Sequence, residues 1–113
     1  DFKTGKASDS FKASQDYQKV KLWKYKTQLL FYYLLIGNSG SYKNFEVSQV
    51  ELEFVEPKNG QIVTLTEPVT KKDLSDLEKL VQKVYTKIVN LDFPDIQKYP
   101  QNYKGIMQFC EDL

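Results

Sequence analysis

Residues 1–6 read DFKTGK: an acid, an aromatic and a lysine, followed by Thr4, Gly5 and Lys6 with the composition of a turn. In a strand, residues two apart project from one face, so Asp1 and Lys3 are expected side by side, with Phe2 turned into the core. A carboxylate can ligate a hard divalent cation, and an ammonium beside it can orient an attacking water or stabilise charge growing on a phosphate. Alone, a D-x-K tripeptide is far more often an edge ion pair of little energetic weight, because such tripeptides are abundant by chance. The stretch reads as the end of a strand rather than the start of a fold. The expectation is therefore an N-terminally truncated sheet, with at least one further strand upstream of Asp1.

The remaining composition narrows the chemistry. The 113 residues suit one domain with a modest core; they are 41% hydrophobic and 27% charged, with eight Tyr and seven Phe, which argues against disorder. The absence of histidine removes imidazole acid/base chemistry, His-dependent triads and the usual zinc sites. Cys110 is the single cysteine, so the chain forms no internal disulfide and no cysteine cluster for zinc or iron–sulfur binding. Any catalysis falls to carboxylates, lysines, tyrosines or a hard metal ion. The longest apolar run, LLFYYLLIG at 29–37, is too short to span a bilayer and sits too far inside the chain for a signal peptide. No membrane partner and a cytoplasmic location are expected. The formal net charge is +1, yet residues 1–26 carry seven lysines against three aspartates, a basic quarter that can attract phosphate or simply form a solvated helix face.

Periodicity predicts the elements. From Asp16 to Ile36, Leu22, Tyr25, Leu29, Tyr32, Tyr33 and Ile36 recur at spacings of three and four, a helix over 16–37 with Gly37 as its C-cap. Val50, Leu52 and Phe54 alternate with glutamates, EPKNGQ turns the chain, and Ile62, Val63 and Leu65 follow, a hairpin over 46–66 signalled by Asn59-Gly60. The phase of Phe45 and Val47 against Val50 predicts a bulge near Ser48. Thr70 and Asp73 form a capping box for a helix over 70–91, whose stripe of Leu74, Leu77, Val81, Val84, Ile88 and Leu91 is expected to cover a face of the sheet. A proline-punctuated tail over 92–113 ends in a short helix. Gln28 and Tyr32, at i and i+4, share a helix face.

DFKTGK followed by a lysine-rich helix bearing QLLFYYLL resembles the RecB-like branch of the PD-(D/E)xK nucleases, in which a D-[FY]-K-T-G strand precedes a helix with Q-x-x-x-Y. The chain is most similar to the nuclease-like C-terminal domain of bacterial UvrD/Rep-type DNA helicases, with LEFVEP at 52–57 and NLDFPD at 90–95 as further matches. The resemblance covers nearly the whole chain. It implies an α/β (α+β) restriction-endonuclease-like core, a mixed β-sheet flanked by helices, within a single partial domain over 1–113.

The resemblance also implies roles. Asp1 would bind Mg²⁺, or Mn²⁺ in its place, with the Phe2 carbonyl as a further ligand and Lys3 as the catalytic lysine. Gln28 and Tyr32 would approach the DNA strand near the scissile phosphate, and Lys6 would contact DNA. Partners would be DNA and the helicase domains of the same polypeptide, in repair or recombination. The family's earlier aspartate, in a G-x-x-D-[RK]-[IV]-D strand, has no counterpart in these residues, and the four-cysteine iron–sulfur staple of some relatives has none either. Two readings stay open: the C-terminal part of a Mg²⁺-dependent deoxyribonuclease domain, inactive as the isolated piece, or a nuclease-fold module that no longer cuts and binds DNA or braces the helicase.

Overall fold

The structure, a computed structural model, describes residues 1–5, 11, 13–42, 44, 46–47, 49–58 and 60–113. Alternating Val50, Leu52 and Phe54 make β2 (Gln49–Lys58), which pairs antiparallel with β3 (Gln61–Pro68) in the register Leu52 opposite Leu65 and Phe54 opposite Val63. Gly60, at φ +76°, supplies the left-handed residue that a two-residue hairpin loop requires; Asn59 lies outside the described residues. The ladder is irregular between Phe54 and Lys58. The bulge expected near Ser48 involves Phe45 and Ser48, which also lie outside the described residues. β1 (Phe2–Lys3) joins the other side of β2 in parallel, Phe2 opposite Glu53, giving the sheet order β1-β2-β3.

A parallel pair needs a crossover, and α1 (Asp16–Gly37) provides it. Its Leu22 and Leu29 pack with Val50, Leu52, Phe54 and Leu65 into the core cluster, where Leu52 and Phe54 are fully buried. Burying each such side chain stabilises the fold by about 1.5–3 kcal/mol relative to exposure. Gly37 is the last helical residue rather than the cap: Asn38 closes α1, its amide Nδ2 donating to the Leu34 carbonyl at 2.8 Å.

The expected cover of the sheet by the second helix is not what forms. α2 (Lys71–Val89) starts at the predicted capping box, with the Asp73 amide donating to Thr70 Oγ1 at 3.1 Å, but it packs on α1 rather than on the sheet. The inner sheet face is already taken by α1, so α2 finds its apolar surface on the far side of α1, where Leu30 and Leu77 are buried. Lys26 of α1 ties this layer together, reaching Glu67 of β3 at 3.6 Å and Asp73 of α2 at 3.8 Å. The architecture is thus mixed α/β, with the order sheet, α1, α2.

The tail carries a single 3₁₀ turn at Ile96–Lys98 and then α3 (Tyr103–Asp112), capped by Asn102. Its first amide, that of Tyr103, donates to both Asp16 carboxylate oxygens at 3.1 and 3.3 Å, which fastens α3 to the start of α1. Among the described residues no helix is long and apolar enough to cross a membrane.

Candidate functional site

β1 is pinned through the residue that precedes it. The Asp1 nitrogen donates to the Glu51 carbonyl at 3.0 Å and the Glu53 amide donates to the Asp1 carbonyl at 2.8 Å, so both backbone groups of Asp1 face β2. Strand alternation then directs the amide and carbonyl of Phe2 to the opposite edge, where no described strand lies. In a parallel pair, cross-strand partners share a face, so Lys3 lies on the face of Phe54, and Asp1 with it.

That face is the one covered by α1, which corrects the expected orientation of Phe2. Its side chain is 71% exposed on the outer face of the sheet, beside Glu53, while Asp1 and Lys3 point inward beneath the helix. The reason is register: Phe2 stands opposite Glu53 on the face away from α1, and Lys3 stands opposite Phe54 on the face beneath it. The side chains of Lys3 and Asp1 retain only 16% and 21% exposure, so their 3.0 Å ion pair is better sheltered than an ordinary surface bridge.

Lys3 is the centre of the arrangement. Its ammonium donates to Gln28 Oε1 at 2.5 Å as well as pairing with Asp1, and it sits 4.8 Å from the centre of the Tyr25 ring. The Gln28 amide in turn donates from Nε2 to the Tyr32 hydroxyl at 3.0 Å. Asp1, Lys3, Gln28 and Tyr32, from two elements 25 residues apart, therefore form one continuous polar line. Local helix geometry accounts for half of it, because i and i+4 side chains meet on one helix face. The other half follows from the parallel crossover, which lays α1 over the end of β1.

Periodicity places Tyr25 only among the apolar residues of the helix stripe. It does pack on Phe54, with ring centres 6.3 Å apart, but its face also receives Lys3 and, at 5.7 Å, Lys21. Its spacing three residues before Gln28 is the signal that places it on the same side of the helix. A ring beneath an ammonium attracts the cation electrostatically and helps hold Lys3 in place.

The Asp1 carboxylate and the Phe2 carbonyl are hard oxygens of the kind that Mg²⁺ takes, in a coordination shell usually completed by water and phosphate. Among the described residues no three His, Cys, Asp or Glu side chains come together to hold a metal. Lys6 lies outside the described residues. Gly5, at φ +94°, makes the turn out of β1 that the D-x-K-T-G pattern anticipates. Cys110 is half-buried on α3, and burial pushes its thiol pKa up, which disfavours the reactive thiolate. Compared with known proteins, the chain matches no family model, no curated protein and no solved structure.

Proposed function

We propose that this chain forms the D-x-K and Q-x-x-x-Y half of a RecB-like, Mg²⁺-dependent DNA nuclease site, in a domain that works beside helicase domains in bacterial DNA repair or recombination. The observation that carries the reading is the line from Asp1 through Lys3 and Gln28 to Tyr32, two sequence motifs joined through one sheltered ammonium. In this reading Asp1 and the Phe2 carbonyl would hold the metal, which would supply Lewis-acid stabilisation of charge on a DNA phosphate. Lys3 places a positive charge where the phosphate oxygens gain negative charge. Asp1, Gln28 and the Tyr25 ring fix the position of that ammonium, and the Tyr32 hydroxyl offers a further contact to the strand.

A second reading, a module of the same fold that binds DNA without cutting, is favoured by the Asp1 carboxylate being already neutralised by Lys3. Two measurements separate them. Fluorescence anisotropy with labelled DNA should show binding that Lys3→Ala weakens about equally for all sequences, with the salt slope reduced by about one. Undetectable binding at low salt, or binding indifferent to Lys3, sinks both readings. Mg²⁺-dependent cleavage by the full gene product, abolished by Lys3→Ala, selects the nuclease; binding without cleavage selects the non-cutting module.

A further inference from the structure

We infer that two copies of this chain pair by exchanging residues 91–96, each copy laying that segment in the apolar groove between α1 and α2 of the other. The pairing is independent of any contact with DNA. It starts from Leu91. α2 ends in a Schellman motif around the cap Asn90, the Leu91 amide donating to the Ile88 carbonyl at 3.1 Å and the Asp92 amide to the Lys87 carbonyl at 2.9 Å. The motif holds residue 91 at φ +54°, in the left-handed region where glycine is the usual occupant and a Cβ carries a steric cost. Among the described residues Leu91 is the one non-glycine at positive φ. Its side chain is 75% exposed, so burial within the chain does not offset that cost. A surface outside the chain that receives the leucine accounts for it.

The segment that follows is built to be presented. Phe93 and Ile96 are each 68% exposed, which with Leu91 puts three large apolar side chains in water within six residues. Pro94 disfavours any helical conformation at Phe93, and Asp95 is extended at φ −72° and ψ 109°. Both ends are fastened: the Lys87 ammonium pairs with Asp92 at 2.7 Å, and Asp95 Oδ1 accepts the Gln97 amide at 3.0 Å. A segment already held in one conformation loses little entropy on docking. Residues 91–96 contain two aspartates and no cation.

The matching receptor is on the same molecule. The groove between α1 and α2 has a volume of about 550 Å³ and is walled by Trp23 and Phe31 on one side and by Val81, Val84 and Ile88 on the other. Lys24 is the one charged side chain among the described residues that line it. Leu91, Phe93 and Ile96 do not line it, so a chain leaves its own groove open. An acidic segment with apolar side chains and an apolar groove with a lysine at its rim are complementary in charge and in character. With the two α2 helices antiparallel about a two-fold axis, the segment that follows each α2 meets the groove of the other copy, and the contact closes at two chains. Few residues meet on each side, which places the pair among weak, transient contacts with a Kd on the order of 10–100 µM. At the low micromolar concentration of an unfolding experiment the chain is then the monomer, with its groove open.

The test is sedimentation equilibrium of the 113-residue chain from about 5 to about 500 µM, a range that brackets the expected Kd. A monomer–dimer equilibrium is expected. Leu91→Gly should weaken it at least about tenfold while raising Tm by about 4 °C, because glycine relieves the left-handed position. Ile88→Lys, in the groove wall, should weaken it by a similar factor with the fold intact by circular dichroism. Mixing the two variants should restore association that neither shows alone, since one supplies an intact groove and the other an intact segment. A chain that stays monomeric throughout, species larger than a dimer, association indifferent to Leu91→Gly, or variants that fail to associate when mixed overturn the inference. A Tm lowered by Leu91→Gly overturns it as well, since Leu91 would then serve the fold of its own chain.

Discussion

α1 and α2 are helices of similar length, 22 and 19 residues, that use their apolar residues in opposite ways. α1 is apolar on two sides and buries Leu22 and Leu29 against the sheet and Leu30 towards α2. α2 has the cleaner amphipathic stripe, yet only Leu77 is buried, and Val81, Val84, Tyr85 and Ile88 remain exposed. Periodicity states that a face is apolar; the order of layers decides whether anything covers it. A middle-layer helix has two covered sides and no single stripe, whereas an outer-layer helix keeps its stripe even where little rests on it.

The contrast can be broken at several points. Leu29→Ala should give the largest effect, a loss of about 2–5 kcal/mol in chemical denaturation, because it empties a site in the core cluster. A loss below about 1 kcal/mol would mean that α1 is not the central layer. Thr70→Ala removes the N-cap of α2 and should cost about 1 kcal/mol, readable by the same method with a matching decrease in helical circular dichroism. Ile88→Lys, in the exposed half of the stripe, should change stability by no more than about 0.5 kcal/mol. A large loss there would show that the α2 stripe is covered in solution.

The smallest effect concerns pH. Lys72 donates to Asp76 at 2.6 Å, and this hydrogen bond holds the Asp76 carboxyl below its usual range while the same contact raises Lys72. A carboxyl whose folded pKa is depressed contributes stability above its unfolded pKa and loses it as pH falls through the folded value. The destabilisation caused by Asp76→Asn should therefore be present at neutral pH and vanish in acid, and it should shrink with salt because both side chains are exposed. A deficit that persists in strong acid would assign it to something other than the ion pair.

What the sequence disclosed depended on the range of the determining contact. The Thr70 capping box, the phase of Val50, Leu52 and Phe54, and the Gln28 and Tyr32 pair are settled within four residues, and each forms as read. Phe2 faces outward, against the expectation, because alternation separates two faces without telling which one a helix will cover. Leu30 lies off the single stripe that periodicity marks in α1, because it faces α2 rather than the sheet. The meeting of Lys3 with Gln28 lies 25 residues beyond any local rule, and the crossover geometry produces it. The cation-binding face of Tyr25 needed the position of β1, which no periodicity supplies.

The bond from the Tyr103 amide to Asp16 sets an order of events in folding. It spans 87 residues, the greatest separation among the side-chain hydrogen bonds of the described residues, whereas the hairpin and α2 close over short loops. Loop-closure entropy must be offset before a distant contact contributes, so contacts of this kind form late. α3 should dock onto a core already assembled, and in a refolding experiment with pulsed hydrogen exchange the Tyr103 amide should gain protection after those of β2 and β3. A chain released slowly into solution would hold Lys3 in place against Asp1 and Gln28 before its last helix arrives.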